Sequence, residues 1–243
     1  MIAHMPTIYP DELVYSWFCR YYVHSGCFSH KMALQELYCK KSDYVSKEFI
    51  GNLNNEAMEQ IDKIYSLDKL VLDHTMYPQY ARFIPLAEKQ EALYRLGHDS
   101  CDVHYLFPVL PRNEGERYLR YCPLCVKEDR EIYGEAYWHR KHQIRNMCIC
   151  TQHKCRLMES SVPAKSEQSF TFFPAEKYTY DREAVFENDL SVIQYMEYLV
   201  SVFDSVMDYD NDIPISSILY DGMSRTKYLK PSGRRRYTKL LAN

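Results

Sequence analysis

Glycine is scarce in this chain, with seven residues in 243, at positions 26, 51, 97, 115, 134, 222 and 233. No two of them stand at GxGxxG or GxxxxGK spacing, so the chain carries neither a dinucleotide fingerprint nor a phosphate-cradling P-loop. Long apolar runs are lacking too. The most apolar stretch, 192–203, contains Glu197 and falls short of the roughly 18 residues a membrane span needs. The opening MIAHMPTIYPDEL has neither the basic region nor the apolar core of a secretory signal, so a cytoplasmic protein with no membrane partner is expected. A large excess of one charge is likewise missing: 30 Lys and Arg face 33 Asp and Glu, which excludes a uniformly basic nucleic-acid coat.

Nine cysteines are present. In a reducing compartment they do not form a disulfide framework, and an odd count cannot pair fully within one chain. Cys19, Cys27, Cys39 and Cys101 are scattered through apolar surroundings and read as buried thiols. The other five crowd into 122–155, where Cys122-Pro-Leu-Cys125 is a C-x2-C knuckle and Cys150-Thr-Gln-His153 a C-x2-H knuckle. Two such turns aim three thiolates and an imidazole at one point, the tetrahedral donor set of a structural Zn2+ with no position open to a substrate. A redox dithiol would place its C-x2-C in a βαβ unit, a pattern this region does not show. One structural zinc ion on Cys122, Cys125, Cys150 and His153 is therefore expected. Cys148, two residues from Cys150, would face the same side of an extended segment and stays a rival ligand, although packing beneath the site suits it better. Cys155 is left as an idle thiol. No catalytic residue is assigned: Glu128, Asp129 and Glu131 have no recognised acid/base or two-metal spacing and read as solvated helix charges.

Hydrophobic periodicity makes the chain mainly α with a small zinc-knuckle module. The expected division is a helical amino-terminal domain over 1–116, the Cys3His module over 117–160, a helical region over 161–224, and a basic segment over 225–243 that opens a further DNA-binding region. Asp11 is the expected cap of a first helix bearing Leu13, Val14, Trp17, Phe18, Tyr21 and Tyr22, stopped by Gly26. Ser29 caps a second with Ala33, Leu34 and Leu37; Ser42 or Asp43 caps a short one through Phe49; Asn55 opens another with Met58, Ile61 and Ile64. Further helices are expected at 67–74, 86–96, 183–207 and 216–222, with loops at 76–80 and 163–174. The short early turns allow a helix-turn-helix with 30–41 as recognition helix, offering His30, Lys31, Gln35, Lys40 and Lys41, or equally a plain helical bundle.

The overall charge conceals islands. Net charge is -5 over 1–116, +5 over 117–158, -10 over 159–224 and +7 over 225–243, where seven cations occur without an acid. Basic islands suit phosphate backbones. Candidate contacts to double-stranded DNA are thus Arg140, Lys141 and Arg145 in the first island, and Arg225, Lys227, Lys230, Arg234, Arg235 and Arg236 in the second. Trp138, among the aromatics of the module, reads as packing around the metal.

Several stretches carry a resemblance. They are Pro10-Asp11-Glu12-Leu13-Val14-Tyr15-Ser16, Asp73-His74-Thr75-Met76-Tyr77-Pro78-Gln79-Tyr80-Ala81-Arg82-Phe83, and, most specifically, Arg120 to Cys125, Tyr133 to Ile144 and Cys150 to His153. With Ser224-Arg225-Thr226-Lys227-Tyr228-Leu229 following, the chain resembles an amino-terminal portion of the TnsD/TniQ family, the target-selecting proteins of heteromeric bacterial transposons, in its TnsD-like branch. The resemblance implies the same four zinc ligands, with Lys154 standing where glycine often follows the knuckle histidine. It also implies a protein that binds target DNA and recruits a TnsC-like AAA+ ATPase regulator, in keeping with the missing P-loop. TniQ-like relatives imply an alternative, an adaptor that links the regulator to a guide-RNA effector complex with little direct DNA binding. The family meets the ATPase through its amino-terminal region, which makes Tyr15, Trp17, Tyr77 and Tyr80 candidate partner contacts.

Overall fold

A computed structural model describes residues 5–39, 45–98, 103–107, 116–164, 171–210, 222 and 224–225. Ser42, Asp43, Cys101, most of the helix expected over 216–222, and Lys227, Lys230, Arg234, Arg235 and Arg236 lie outside these residues.

Helix α1 (Val14–His24) is buried on every side from Val14 to Tyr21, as suits a helix packed into the core all round, and only its last turn emerges. Asp11 does not cap it. Leu13 holds the N-cap position without a side-chain bond, and Asp11 sits at φ 55. The start of α1 is sewn instead to the metal-knuckle region. Leu13 N–H donates to the Trp138 carbonyl at 2.9 Å, Trp138 N–H to Ser16 Oγ at 3.0 Å, and Arg140 N–H to the Asp11 carbonyl at 2.7 Å. Asp11 Oδ2 accepts the Lys141 N–H at 3.0 Å. A tertiary partner has taken the carboxylate that local reasoning assigned to a cap.

Helices α2 (His30–Leu37) and α3 (Asn55–Ile64) begin as expected, with Ser29 Oγ accepting the Met32 N–H and Asn54 Oδ1 the Ala57 N–H. Between them, 45–50 form a bend and not a helix: Ser46 Oγ accepts the Phe49 N–H at 3.0 Å, and Tyr38 bridges to Leu53. The α2–α3 link is thus much longer than a helix-turn-helix turn, and His30 is stacked on Tyr22 and Phe172. Next come α4 (Leu67–His74), α5 (Tyr77–Ala81), α6 (Leu86–His98) and α7 (Val103–Leu106). The expected loop at 76–80 is mostly helix because Pro78 falls in the first turn of α5, where a missing N–H costs no hydrogen bond. Helix α6 runs on through Gly97, which packs against Leu67.

Strand β1 (Tyr118–Tyr121) feeds α8 (Pro123–Tyr133); a 3-10 turn (Lys141–Gln143), the hairpin β2 (Ile149–Cys150) and β3 (Cys155–Arg156), and β4 (Met158–Pro163) follow. β4 pairs antiparallel with β1. Two further helices, α9 (Ala175–Tyr178) and α10 (Leu190–Asp204), complete the described residues. α10 starts later than the expected 183 because the preceding segment is held extended against the hairpin. Phe186 bridges to Cys155, and Arg156 N–H donates to the Val185 carbonyl at 2.8 Å.

One core runs from Leu13, Trp17 and Leu37 through Val71 and Tyr77 to Trp138, Val162, Phe172 and Phe203. It crosses both 116 and 160, so the helical part and the knuckle region share their packing. Tyr15, Trp17, Tyr77 and Tyr80 belong to this core, which corrects their expected role as partner contacts: the first three are 0% exposed and Tyr80 is 4%. Their polar atoms are used internally, since Tyr15 Oη accepts the Phe173 N–H and Trp17 Nε1, Tyr77 Oη and Tyr80 Oη donate to Pro6, Lys89 and Glu48 respectively.

Candidate metal centre

The first knuckle is a strand-to-helix junction. Cys122 is the N-cap of α8, its sulfur accepting the Cys125 N–H at 3.5 Å, and Pro123 follows in the first turn. A thiolate there is favoured by the positive end of the helix. Gly134, at φ +83, closes the other end of α8 with its N–H on the Arg130 carbonyl. The second knuckle is the β2–β3 turn. Lys154 N–H donates to the Cys150 carbonyl at 2.7 Å, and Lys154 adopts φ 53. This is the left-handed backbone that suits glycine, so the knuckle keeps its geometry with a lysine at that position.

These two turns bring Cys122, Cys125, Cys150 and His153 together, with one ligand atom of each within 4.8 Å of all the others. His153 Nδ1 lies 3.4 Å from the sulfurs of Cys122 and Cys125 and 3.7 Å from that of Cys150, and the Cys125 and Cys150 sulfurs are 3.7 Å apart. A tetrahedral ion with bonds of ~2.3 Å to sulfur and ~2.0 Å to nitrogen sets its donors roughly 3.5–3.8 Å apart. The cluster could therefore hold a metal ion. Sharing of protons within it pulls the Cys122 thiol down, through hydrogen bonds from Cys125 and Cys150, and pushes Cys125 up through its contact with Cys122. A divalent cation would replace those protons with one charge at the centre.

Cys148 is exposed, so it neither packs beneath the site nor joins it. The residue packed there is Cys155, fully buried with its sulfur 3.3 Å from that of Cys122. Glu128, read from the sequence as a solvated charge, instead accepts from His153 Nε2 at 2.9 Å, leaving Nδ1 to face the sulfurs. A carboxylate behind a ligating imidazole orients the ring and fixes its tautomer. Its spacing was the available signal: three residues beyond Cys125 is nearly one helical turn, on the same side of α8. Asp129 is also buried, paired with His139 at 2.9 Å. His142 closes one wall with Nε2 3.7 Å from the Cys125 sulfur, and burial pushes its pKa down to about 4.

Most cations of the basic island have partners within the molecule. Arg140 is 9% exposed, donates to the Leu72 carbonyl, pairs with Asp11 and lies over the Phe203 ring. Lys141 pairs with Asp204 at 2.7 Å, and Arg145 reaches the Tyr80 hydroxyl and ring. For Arg140 and Arg145 the expectation of facing DNA is corrected, since their guanidinium groups serve the fold, whereas Lys141 is a half-exposed cation covered by a carboxylate of α10. Arg120 donates to the carbonyls of Ile144 and Met147, and Arg117 pairs with Glu48. Arg225 is exposed.

Fold and site together define a mainly helical protein closed by a Cys3His metal knuckle whose module is built into the helical core. The chain belongs to the TniQ family, whose family model matches residues 3–157, a span that includes α1 and all four metal-cluster residues. It is similar to the transposon Tn7 transposition protein TnsD of Escherichia coli, at 29% identity over 156 residues, covering 63% of this chain and 30% of that protein. The match thus spans less than a third of that relative. Among the described residues no helix is long and apolar enough to cross a membrane.

Proposed function

We propose that this chain selects the target site for a heteromeric bacterial transposon, binding target duplex DNA and recruiting a TnsC-like AAA+ regulator, with one Zn2+ in the Cys3His site. The observation that carries this reading is the combination of TniQ membership with the likeness to TnsD over a stretch that includes the whole metal centre. The basic 225–243 segment, net +7, would supply phosphate contacts through Arg225, Lys227, Lys230, Arg234, Arg235 and Arg236. The protein then works in the cytoplasm, on chromosomal DNA. Zinc fits the donor set because three sulfurs and an imidazole nitrogen suit a borderline-soft ion in tetrahedral coordination; its chemistry here is to cross-link two turns.

A second reading has support from the internal pairing of Arg140, Lys141 and Arg145: a TniQ-like adaptor that joins the regulator to a guide-RNA effector complex and touches DNA little. Reconstitution separates the two. Regulator recruitment that depends on target duplex, and is lost with Arg234→Ala/Arg235→Ala/Arg236→Ala, is the result expected of the first. Recruitment that is indifferent to duplex and to those substitutions overturns it in favour of the adaptor.

A further inference from the structure

The +5 knuckle region and the -10 segment that follows it meet as matched surfaces. Lys141 faces Asp204 at 2.7 Å, Lys154 faces Glu197, Arg156 faces Glu187 at 3.1 Å, and Arg130 faces Glu176 and Asp181 at 3.0 and 2.8 Å. Every carboxylate in this set comes from 176–204, and every cation from 130–156. Glu197 and Asp204 are seven residues apart on α10, a rise of about 10 Å at 1.5 Å per residue. Three steps along one DNA strand, from the first to the fourth of four successive phosphates, rise about the same distance along the helix axis at 3.4 Å each. Lys154 and Lys141 thus form a row at a spacing that suits a phosphate backbone, occupied by an acidic helix.

We infer that 185–204 is an intramolecular phosphate mimic, and that Lys141, Lys154 and Arg156 beneath it form a masked docking surface for duplex DNA. The inference deepens the DNA-binding reading above and rests on it. The mimic is fixed at both ends. Glu187 N–H donates to the Lys154 carbonyl and Arg156 N–H to the Val185 carbonyl, while Arg82 donates to the Phe203 and Ser205 carbonyls and Lys89 to that of Asp208. Carboxylates tethered in this way compete at a high effective concentration. Met196 and Phe203 are buried and Val192, Ile193, Leu199 and Val200 half-buried against the core, which keeps α10 in place, whereas the ion pairs are solvent-accessible, so each is individually weak. Phosphates can therefore displace the carboxylates by side-chain movement, with both anchors kept. The device weakens sequence-independent DNA binding and reserves the row for DNA already held by other contacts.

The test is duplex binding by the zinc-loaded full chain across about 50–200 mM salt, comparing wild type with Glu187→Gln/Glu197→Gln/Asp204→Asn. The triple variant is expected to bind a random-sequence duplex about 10-fold more tightly, with a log–log salt slope steeper by about 3, nearly one unit per freed cation. Adding Lys141→Gln/Lys154→Gln/Arg156→Gln should abolish that increase. A charge-matched control, Glu59→Gln/Glu88→Gln/Glu183→Gln, should leave the slope unchanged. Equal slopes in wild type and the triple variant, or an equal increase in the control, overturn the inference. Zinc content and far-UV circular dichroism verify that each variant is folded; if the triple variant unfolds, Glu197→Gln alone carries the test, with an expected slope change near one unit. Wild-type binding to target duplex tests the underlying reading separately: its loss alongside binding by the triple variant supports the mask and removes direct targeting, whereas its presence with an unchanged variant does the reverse.

Discussion

The backbone N–H of Leu13 donates to the carbonyl of Trp138 at 2.9 Å, joining the start of α1 to the segment between the two metal knuckles. Trp138 is itself fully buried, and its indole N–H reaches the Phe173 carbonyl. Helical part and knuckle module therefore depend on each other. A structural zinc contributes on the order of 10 kcal/mol of apparent binding free energy, comparable to the whole stability of a domain. Chelation is expected to remove hydrogen-exchange protection over 117–158 and, together with it, from the amides at the start of α1. Full protection of α1 after verified metal removal would contradict the shared core.

Stability should also carry a pH signature from Glu12. This side chain is fully buried, paired with Arg20 at 2.9 Å, and burial raises its pKa to about 7 against the pull of that guanidinium. The folded state therefore binds a proton more tightly than the unfolded chain does, so its contribution is complete below about 4.5 and is lost as pH rises through about 7. The expected decline across this window is on the order of 3 kcal/mol. Glu12→Gln removes it, and the difference between the two proteins in denaturant unfolding cancels any pH dependence of the metal. Parallel pH profiles would contradict the assignment.

Local signals were legible where local physics decides. Ser29 caps α2 because its oxygen meets the amide three residues on, α3 opens at Asn55 as expected, and the knuckle spacings led directly to four donor atoms that converge. What was not legible depends on partners distant in sequence. Asp11 looks like a cap but serves Lys141. Segment 185–187 has helical composition but is extended because β3 offers it hydrogen bonds. Charge counting marked 117–158 as basic, yet it could not say that Lys141, Lys154 and Arg156 face carboxylates from the neighbouring segment. Tyr15, Trp17, Tyr77 and Tyr80, expected at a partner surface, are buried instead, with their polar atoms engaged by backbone and carboxylate partners.

Two left-handed glycines should respond differently to alanine. Gly134 has open space around it, so Gly134→Ala meets only backbone strain, about 1 kcal/mol. At Gly51 the added Cβ would also lie 2.9 Å from Cε1 of the buried Tyr38 ring. Gly51→Ala should therefore cost more, about 2–3 kcal/mol. Thermal unfolding ranks the pair, and a larger loss at Gly134 would count against the packing described around Tyr38.

Glu128→Gln tests the carboxylate behind the knuckle histidine. Metal affinity should fall about 10- to 100-fold while the metal-saturated fold is retained. Competition with a chromogenic chelator reads the affinity; an unchanged value would leave the 2.9 Å Glu128–His153 contact without a role in holding the ring.

The Cys3His closure is tested most directly by metal content per chain, measured by native mass spectrometry on wild type, Cys150→Ser and Cys148→Ser. One zinc per chain is predicted for wild type and Cys148→Ser, with loss of the ion in Cys150→Ser. Equal zinc loss in both variants, or no bound metal in wild type, would contradict the assignment of Cys122, Cys125, Cys150 and His153 as the centre that closes this fold.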